Sequence, residues 1–301
     1  MTRAVSTLSV LDLLGEAVAT LEAAGIGAAR ADAEWLLAAV VGVERFALYL
    51  DRARELSPEG AARYRALVGR RVSREPLQYL LGFEEFHGVR LSITPDVLVP
   101  RPETEGLVEW ALEVLRERRA PFVADIGTGS GAIACALATS LPGLRALAVE
   151  RSLDALALAA RNVRRLGLSD RVKLVAGDLL DPLGSAGARL DLVIANPPYV
   201  PSAAIGSLPR EVSGFEPRLA LDGGPDGMAV IRRIIAAAPA VLRPGGWLMM
   251  EIGEDQAGPL ASLMAAEGFA GIQARRDLRG VERYIGGQWA EASPASPRRP
   301  C

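Results

Sequence analysis

Histidine, cysteine and lysine are nearly missing from this 301-residue sequence. His87 is the only histidine, Cys135 and Cys301 are the only cysteines, and Lys173 is the only lysine among 34 basic residues. This composition excludes a disulfide framework and a Cys/His zinc site, and it leaves little room for a Ser-His-Asp or Cys-His catalytic centre. We therefore expect no metal site, and chemistry that relies on carboxylates, amides, backbone groups or a bound cofactor.

A long apolar run and a strong net charge are also absent. No segment reaches the roughly 18 uninterrupted apolar residues that a membrane span needs. The formal net charge is −2, so no overall field attracts the chain to nucleic acid or to a membrane surface. Arginine in place of lysine indicates a coding bias, which weakens local arginine clusters as evidence. These absences predict a soluble cytoplasmic protein, and we expect a monomer.

The pattern of apolar residues changes twice along the chain. Residues 1–75 have helical spacing, with Ser57 and Pro58 as the start of a third helix, and residues 76–101 look like a β-hairpin linker. Strands and helices then alternate within 102–288, which is typical of a doubly wound, mainly parallel sheet. The Ser/Pro/Arg-rich residues 289–301 predict a disordered tail. The domain prediction is therefore a small helical module, a linker, an α/β domain and a tail.

A glycine loop follows the first strand of the α/β region. The segment Asp125–Gly131 reads D-I-G-T-G-S-G and lies between the strand 122–126 and a helix that begins near Ala132. Glycines let the backbone turn sharply and approach a ligand closely. Open α/β sheets bind ligands at the carboxyl ends of their strands, although a tight structural turn gives the same pattern. The G-x-G-x-G spacing differs from the dinucleotide fingerprint, which disfavours a nicotinamide enzyme without eliminating it.

Two acidic residues follow the next two strands. Glu150 ends a strand about 20 residues after the loop, where a carboxylate can accept hydrogen bonds from the hydroxyls of an adenosine ribose. Asp178 comes after the third strand and is a candidate neighbour of adenine, with a helix N-cap as the equal alternative. Glu150 therefore strengthens a nucleoside-binding interpretation.

The tetrapeptide Asn196-Pro197-Pro198-Tyr199 follows the strand 190–195. Two prolines end the strand and fix the backbone, so the Asn196 side chain and the neighbouring carbonyls have set directions. Those groups can accept hydrogen bonds from a planar –NH2 group, and Tyr199 offers a flat surface for stacking. A stiff turn without function is the plainer alternative.

At these motifs the sequence resembles the HemK/PrmC-type release-factor glutamine methyltransferases, which belong to the class I S-adenosylmethionine-dependent methyltransferases. The resemblance covers the whole ordered chain, and the segments that point to this family are 75–82, E-P-L-Q-Y-L-L-G, and 100–105, P-R-P-E-T-E. The N-P-P-Y turn is shared with adenine-N6 methyltransferases and therefore indicates only the chemistry. The resemblance implies a Rossmann-like seven-stranded, mainly parallel sheet, with a helical N-terminal domain that recognises the release factor.

The resemblance also implies roles for individual residues. The catalytic residues would be Asn196, Pro197 and Tyr199, and Pro198 would join them in binding the glutamine of a Gly-Gly-Gln motif. The residues that would hold S-adenosylmethionine are Asp125, Gly127, Thr128, Gly129, Ser130, Gly131, Glu150, Asp178, Leu179 and Asn196. Glu150 stands where the family commonly has Asp, and Leu179 stands where some members have an aromatic residue beside adenine.

Several other functions are consistent with parts of this pattern. A glutamine of a ribosomal protein, or an adenine in nucleic acid, presents the same planar nitrogen, although the acidic balance makes nucleic acid an improbable direct substrate. A nicotinamide oxidoreductase and a non-catalytic adaptor are weaker alternatives. The chain itself contains Gly286-Gly287-Gln288, after the last strand candidate, and we interpret this match to the methylated tripeptide as chance.

Overall fold

The computed structural model describes residues 8–50, 54–184, 187 and 189–290. The chain divides into two compact units. One takes in the described residues up to Phe83 together with Pro209–Phe215, and the other takes in the described residues of Glu84–Leu208 and those from Glu216 to 290. The short segment Pro209–Phe215 groups with the first unit because Glu211 accepts hydrogen bonds from Arg71 and Arg74.

The first unit is mainly helical. Its elements are β1 (Leu8–Ser9), α1 (Val10–Ala23), α2 (Ala29–Val41), a 3-10 turn at Arg45–Tyr49, β2 (Glu55–Leu56), α3 (Pro58–Val72), α4 (Leu77–Leu81), and the short α9 (Arg210–Ser213). Helix α3 begins where the sequence predicts, because the Ser57 hydroxyl accepts from the Gly60 N–H and Pro58 follows at N1. Tyr64 is buried, and its hydroxyl donates to the Ala33 carbonyl in the centre of this helical core.

Along the chain, a two-stranded hairpin precedes the first long helix of the second unit. It consists of β3 (Phe83–Phe86) and β4 (Val89–Ser92), and α5 (Pro102–Leu115) follows. His87 lies at the hairpin turn with φ +44°, and its ring Nε2 is 2.6 Å from the Glu109 carboxylate. The single histidine therefore has a local structural partner.

The second unit is built on one seven-stranded sheet. In chain order its elements are β5 (Phe122–Ile126), α6 (Ala132–Ser140), β6 (Arg145–Glu150), α7 (Leu153–Arg165), β7 (Val172–Ala176), α8 (Asp181–Gly184), β8 (Leu190–Ala195), α10 (Ala229–Ala237), β9 (Leu242–Glu251), α11 (Ala257–Ala266), β10 (Phe269–Arg276) and β11 (Glu282–Trp289). Short 3-10 turns lie at Ser202–Ser207, Arg218–Ala220 and Ala238–Ala240. The strand order is β10-β11-β9-β8-β5-β6-β7.

The pairing of these strands determines where the site lies. Strand β5 is parallel to both β6 and β8, and β8 is parallel to β9, whereas β11 is antiparallel to β9 and β10. Apart from one aspartate in each, β5 and β8 are apolar, and they are almost entirely buried, as a sheet covered on both faces requires. The carboxyl ends of β5, β6 and β8 therefore meet at one edge. The predicted seven-stranded, mainly parallel sheet and the N-terminal helical unit are confirmed.

The end of the chain differs from the sequence prediction. Gly286-Gly287-Gln288 does not follow the last strand but lies inside β11, paired on one side with β9 and on the other with β10. A Cβ on Gly286 would lie 2.8 Å from the Trp110 ring, so close packing explains this glycine. Trp289, the first residue of the predicted tail 289–301, is instead the last residue of the strand, and residues 291–301 lie outside the described residues.

Candidate active site

The glycine loop connects β5 to α6 through backbone conformations that favour glycine. Gly127, Gly129 and Gly131 have φ values of +70°, +56° and +83°. A side chain at any of them is strained, because L-residues rarely adopt this region. A Cβ on Gly127 would meet no atom within 4 Å, so the loop leaves open space beside its backbone for a ligand.

Asp125 supports this loop from behind. The Asp125 Oδ2 atom accepts hydrogen bonds from the Thr128 hydroxyl at 2.6 Å and from the Ala134 N–H at 3.1 Å. Burial raises the pKa of the Asp125 carboxyl to about 6. Its Oδ1 has no hydrogen-bond partner among the described residues. Asp125 thus ties the loop to the start of α6.

Glu150 is joined to the same loop. It ends β6, and its Oε2 accepts from the Gly129 N–H at 3.0 Å. Its Oε1 accepts from the N–H groups of Arg151 and Ser152 at 2.8 and 2.9 Å. Oε1 already accepts two N–H groups, whereas Oε2 accepts one and retains a lone pair, so the oriented carboxylate can still accept a hydrogen bond from a ligand hydroxyl through Oε2.

Asn196 is part of a buried chain of hydrogen bonds that the sequence did not reveal. The Asn196 Nδ2 donates to the Thr104 hydroxyl at 3.0 Å, and this hydroxyl donates to Glu251 Oε2 at 2.6 Å. The Tyr199 hydroxyl donates to Glu251 Oε1 at 3.2 Å. Burial raises the pKa of Glu251, which is 1% exposed. Thr104 stands in the segment 100–105 that points to the family, but no local pattern predicted that it meets Glu251.

The backbone of the Asn196–Tyr199 turn is held from the other side. The Gln256 side chain donates to the Tyr199 carbonyl at 3.2 Å, and its Oε1 accepts from the Gly253 N–H at 2.9 Å. The Val200 N–H donates to the Leu221 carbonyl at 3.0 Å. The rigidity predicted from two prolines is therefore reinforced by contacts with later segments of the same unit.

One cavity brings many of the predicted site residues together. It encloses about 870 Å³, with its open mouth included, and the predicted residues that line it are Gly127, Thr128, Gly129, Ser130, Glu150, Asn196 and Pro198. The other walls come from Phe86, Asp96, Val97, Leu98, Pro100, Thr104, Ala132, Ile133, Ser152, Ala155, Pro217, Leu219 and Ala220. Sequence reasoning named none of these as site residues.

Six predicted site residues are not part of the cavity wall. Two of them, Asp125 and Gly131, lie at the two ends of the loop segment. Asp178 is paired with Arg233 at 2.8 Å, and Leu179, with φ +51°, packs against the core of the sheet. Pro197 is buried, and Tyr199 packs against the same core with its hydroxyl on Glu251. The roles assigned to these residues stay predictions.

A buried ion pair joins two loops of the cavity wall. Glu216 Oε2 accepts from the Arg101 guanidinium at 2.5 Å, and Oε1 accepts from the Val99 N–H at 3.4 Å. Burial raises the pKa of Glu216 against the opposing effect of Arg101. Pro100 and Pro217, the neighbours of this pair in sequence, both line the cavity. The pair therefore fixes the two loops relative to each other.

The described residues contain neither a metal-binding cluster nor a membrane-spanning helix. No group of three or more His, Cys, Asp or Glu residues in this part of the chain is placed to hold a metal ion. No helix among these residues is long and apolar enough to span a bilayer.

The fold and the cavity together define the class of S-adenosylmethionine-dependent methyltransferases. Residues 12–82 match a family model described as the PrmC N-terminal domain, and residues 108–207 match one described as the methyltransferase small domain. A release factor glutamine methyltransferase of Geobacter sulfurreducens is 47% identical over 267 residues, covering 88% of this chain and 91% of the relative. One of Moorella thermoacetica is 44% identical over 277 residues, covering 92% and 97%. The chain therefore belongs to the release factor glutamine methyltransferase family, and it is an S-adenosylmethionine-dependent enzyme.

Solved structures agree on the fold. The N-terminal domain of human METTL16 in complex with SAH has a TM-score of 0.52 and 21% identity, covering 73% of this chain and 83% of that one. At this identity the likeness supports the Rossmann-like architecture alone.

Proposed function

We propose that this chain transfers a methyl group from S-adenosylmethionine to the side-chain amide nitrogen of the glutamine in the Gly-Gly-Gln motif of peptide chain release factors. One observation carries the proposal: the glycine loop, the Glu150 carboxylate and the Asn196 amide line a single cavity. The names of the relatives support the substrate. A cofactor site and an acceptor for an –NH2 group thus stand close enough to serve one reaction.

The residues present fit S-adenosylmethionine. Gly127 and Gly129 leave their backbone open to a ligand, and the oriented Glu150 carboxylate is the acceptor that a ribose diol requires. Bound there, S-adenosylmethionine supplies a methyl group on a positively charged sulfur, which is reactive even toward a weak nucleophile. Asp125 would hold the loop in place, and Asp178 and Leu179 remain the candidates near adenine.

The task of Asn196 is alignment. An amide nitrogen is a weak nucleophile because its lone pair is delocalised into the carbonyl, so the nitrogen must be held in one orientation. With Nδ2 given to Thr104, Asn196 Oδ1 is the atom left to accept a hydrogen bond from the glutamine –NH2, and the Pro197 carbonyl would accept the second. No strong base is needed, since the nitrogen becomes acidic as it is alkylated.

The first unit would recognise the release factor, as the PrmC N-terminal domain match supports. The domain division 1–75, 76–101 and 102–288 and the monomeric state stay predictions. We place the reaction in the cytoplasm, because release factors act on ribosomes.

The proposal predicts a specific product. Purified release factor incubated with the protein and labelled S-adenosylmethionine should gain one methyl group on the glutamine of Gly-Gly-Gln, located by tandem mass spectrometry. A release factor carrying Gly-Gly-Glu should gain none, because its side chain has no amide nitrogen. Label on another protein residue or on adenine in added RNA, with that glutamine unmodified, would reject the proposed substrate.

A second prediction concerns Glu150. Replacing Glu150 with Gln should weaken binding of S-adenosylhomocysteine by about 10- to 100-fold, or roughly 1.4–2.8 kcal/mol. Both carboxylate oxygens accept backbone N–H groups, so the amide –NH2 of E150Q must face a donor. Isothermal titration calorimetry measures the change, with E254Q at an exposed glutamate as the matched control. If E150Q and E254Q bound S-adenosylhomocysteine with equal affinity, Glu150 would not be a cofactor-binding residue.

A further inference from the structure

Three elements of the second unit converge behind Asn196. Thr104 lies in the first turn of α5, Glu251 is the last residue of β9, and Asn196 follows β8. Thr104 is 4% exposed and Glu251 is 1% exposed, so the hydrogen bonds that join them are shielded from water. Shielded, fully satisfied polar networks restrict side chains to one arrangement.

The order of donors and acceptors in this network follows from its chemistry. Two hydroxyl groups, from Thr104 and Tyr199, donate to the two oxygens of Glu251, so the network is the one of the ionised carboxylate, in which both oxygens act as acceptors. A threonine hydroxyl has one proton, and it is used toward Glu251. Thr104 can then only accept from Asn196, which must present Nδ2 to it. In the opposite orientation, Asn196 Oδ1 would face the Thr104 hydroxyl oxygen, whose only proton is already donated to Glu251.

We propose that Thr104 and Glu251 are positioning residues that fix the orientation of the Asn196 amide, so that Oδ1 is always presented to the substrate nitrogen. This inference rests on the proposed function. It also gives Tyr199 a role: its hydroxyl is anchored on Glu251 and its ring packs against the core of the sheet, which makes it a support for the turn.

If the Asn196 amide could turn between its two orientations, the rate of methyl transfer would fall. In the reversed orientation its –NH2 would face the substrate –NH2, and two donors would be opposed. Removal of a single preorganised hydrogen bond to the reacting group costs about 100- to 1,000-fold in rate, and the partial population of the correct orientation makes the loss expected here smaller. Neither Glu150 nor any residue of the glycine loop belongs to this network, so the affinity for the cofactor should not change.

Substitution of Thr104 tests the proposal. T104V removes the hydroxyl at nearly constant volume, and we expect kcat for release factor methylation to fall by about 10- to 100-fold. The dissociation constant for S-adenosylhomocysteine should stay within about threefold. T104S restores the hydroxyl, and its kcat should lie within about threefold of the unsubstituted enzyme. A loss in T104S as large as in T104V would overturn the proposal, because it would show that the methyl group and its packing matter instead.

Glu251 supplies a second, independent variant. In E251Q the side-chain –NH2 can face Thr104 and reverse the order of donors, so we expect kcat to fall by about three- to tenfold. In the T104V background the same change should add less than about twofold, since Glu251 then has no hydroxyl through which to reach Asn196. If Glu251 contributed only to the general stability of the fold, the effects of E251Q and T104V on kcat would multiply instead. Full multiplication would overturn the proposal. A kcat of E251Q equal to that of the unsubstituted protein would also overturn it, and this second outcome can be measured even if T104V fails to fold.

The unsubstituted protein in the same assay separates the two proposals. If it leaves the Gly-Gly-Gln glutamine unmodified, the proposed function fails. If it methylates that glutamine and T104V matches it in kcat, only the positioning role fails.

Discussion

Replacing Asn196 with Ala should lower kcat for glutamine methylation by about 1,000-fold, the upper range for removal of one preorganised hydrogen-bonding group. The change removes the acceptor for the substrate nitrogen and leaves the Thr104 hydroxyl without its donor. S-adenosylhomocysteine binding should stay measurable and within about tenfold, because the glycine loop and Glu150 are untouched. Rapid-quench kinetics with labelled cofactor, together with calorimetry, separate the two effects.

A control for this variant lies in the segment that follows the turn. Ser207 is exposed, and its hydroxyl bonds only locally to the Ala204 carbonyl, so S207A should keep full turnover. Near-normal turnover in N196A would remove Asn196 from the catalytic step. Loss of cofactor binding equal to the loss of turnover would assign Asn196 to the cofactor instead.

Replacing Gly227 with Ala should lower the free energy of unfolding more than any other substitution proposed here. Its φ is +76°, and an added Cβ would overlap the Tyr199 carbonyl oxygen and lie 2.9 Å from Gln256 Nε2. The backbone conformation alone costs about 1–2 kcal/mol, and the displacement of the buried turn should raise the total to about 4 kcal/mol. We therefore expect the Tm to fall by about 8–16 °C, at roughly 2–4 °C per kcal/mol. Differential scanning calorimetry measures this change.

Gly245 is the matched control for Gly227. It has nearly the same φ, +73°, but an added Cβ would meet no atom within 4 Å. G245A should therefore show the conformational cost alone, with a Tm decrease of about 2–8 °C and unchanged kcat. In G227A the displaced turn carries Asn196 with it, so kcat at a temperature where the variant is folded should fall more than tenfold. Equal Tm values for the two variants would show that the Tyr199 carbonyl can move freely.

The sequence was sufficient to predict which strand ends carry the site. The glycine loop begins at the end of β5, Glu150 ends β6 and Asn196 follows β8, and in a parallel sheet the carboxyl ends of neighbouring strands meet. That rule depends only on local patterns and topology. It predicted the cavity edge correctly, because β5 is paired with both β6 and β8.

The residues behind the site could not be predicted from the positions of strand ends. Thr104 and Glu251 are 147 positions apart, and they meet only because the start of α5 packs over the end of β9. The orientation of Tyr199 was likewise not predictable, since a tyrosine after two prolines can turn either way. Arg243–Gly246 has a turn-like composition but lies inside β9, where the register with β8 shifts between Leu190 and Leu192. Long-range packing decided each of these cases.

The Gly-Gly-Gln tripeptide inside β11 has a practical consequence for substrate searches. A scan of a proteome for this tripeptide would return the enzyme itself, yet the backbone of Gly286 is hydrogen-bonded into a sheet on both sides and packs beneath Trp110. A polypeptide held in that way cannot be drawn into a cavity without unravelling the sheet. Accessible backbone on both sides of the glutamine, and not the three letters, is therefore the filter that such a scan should apply first.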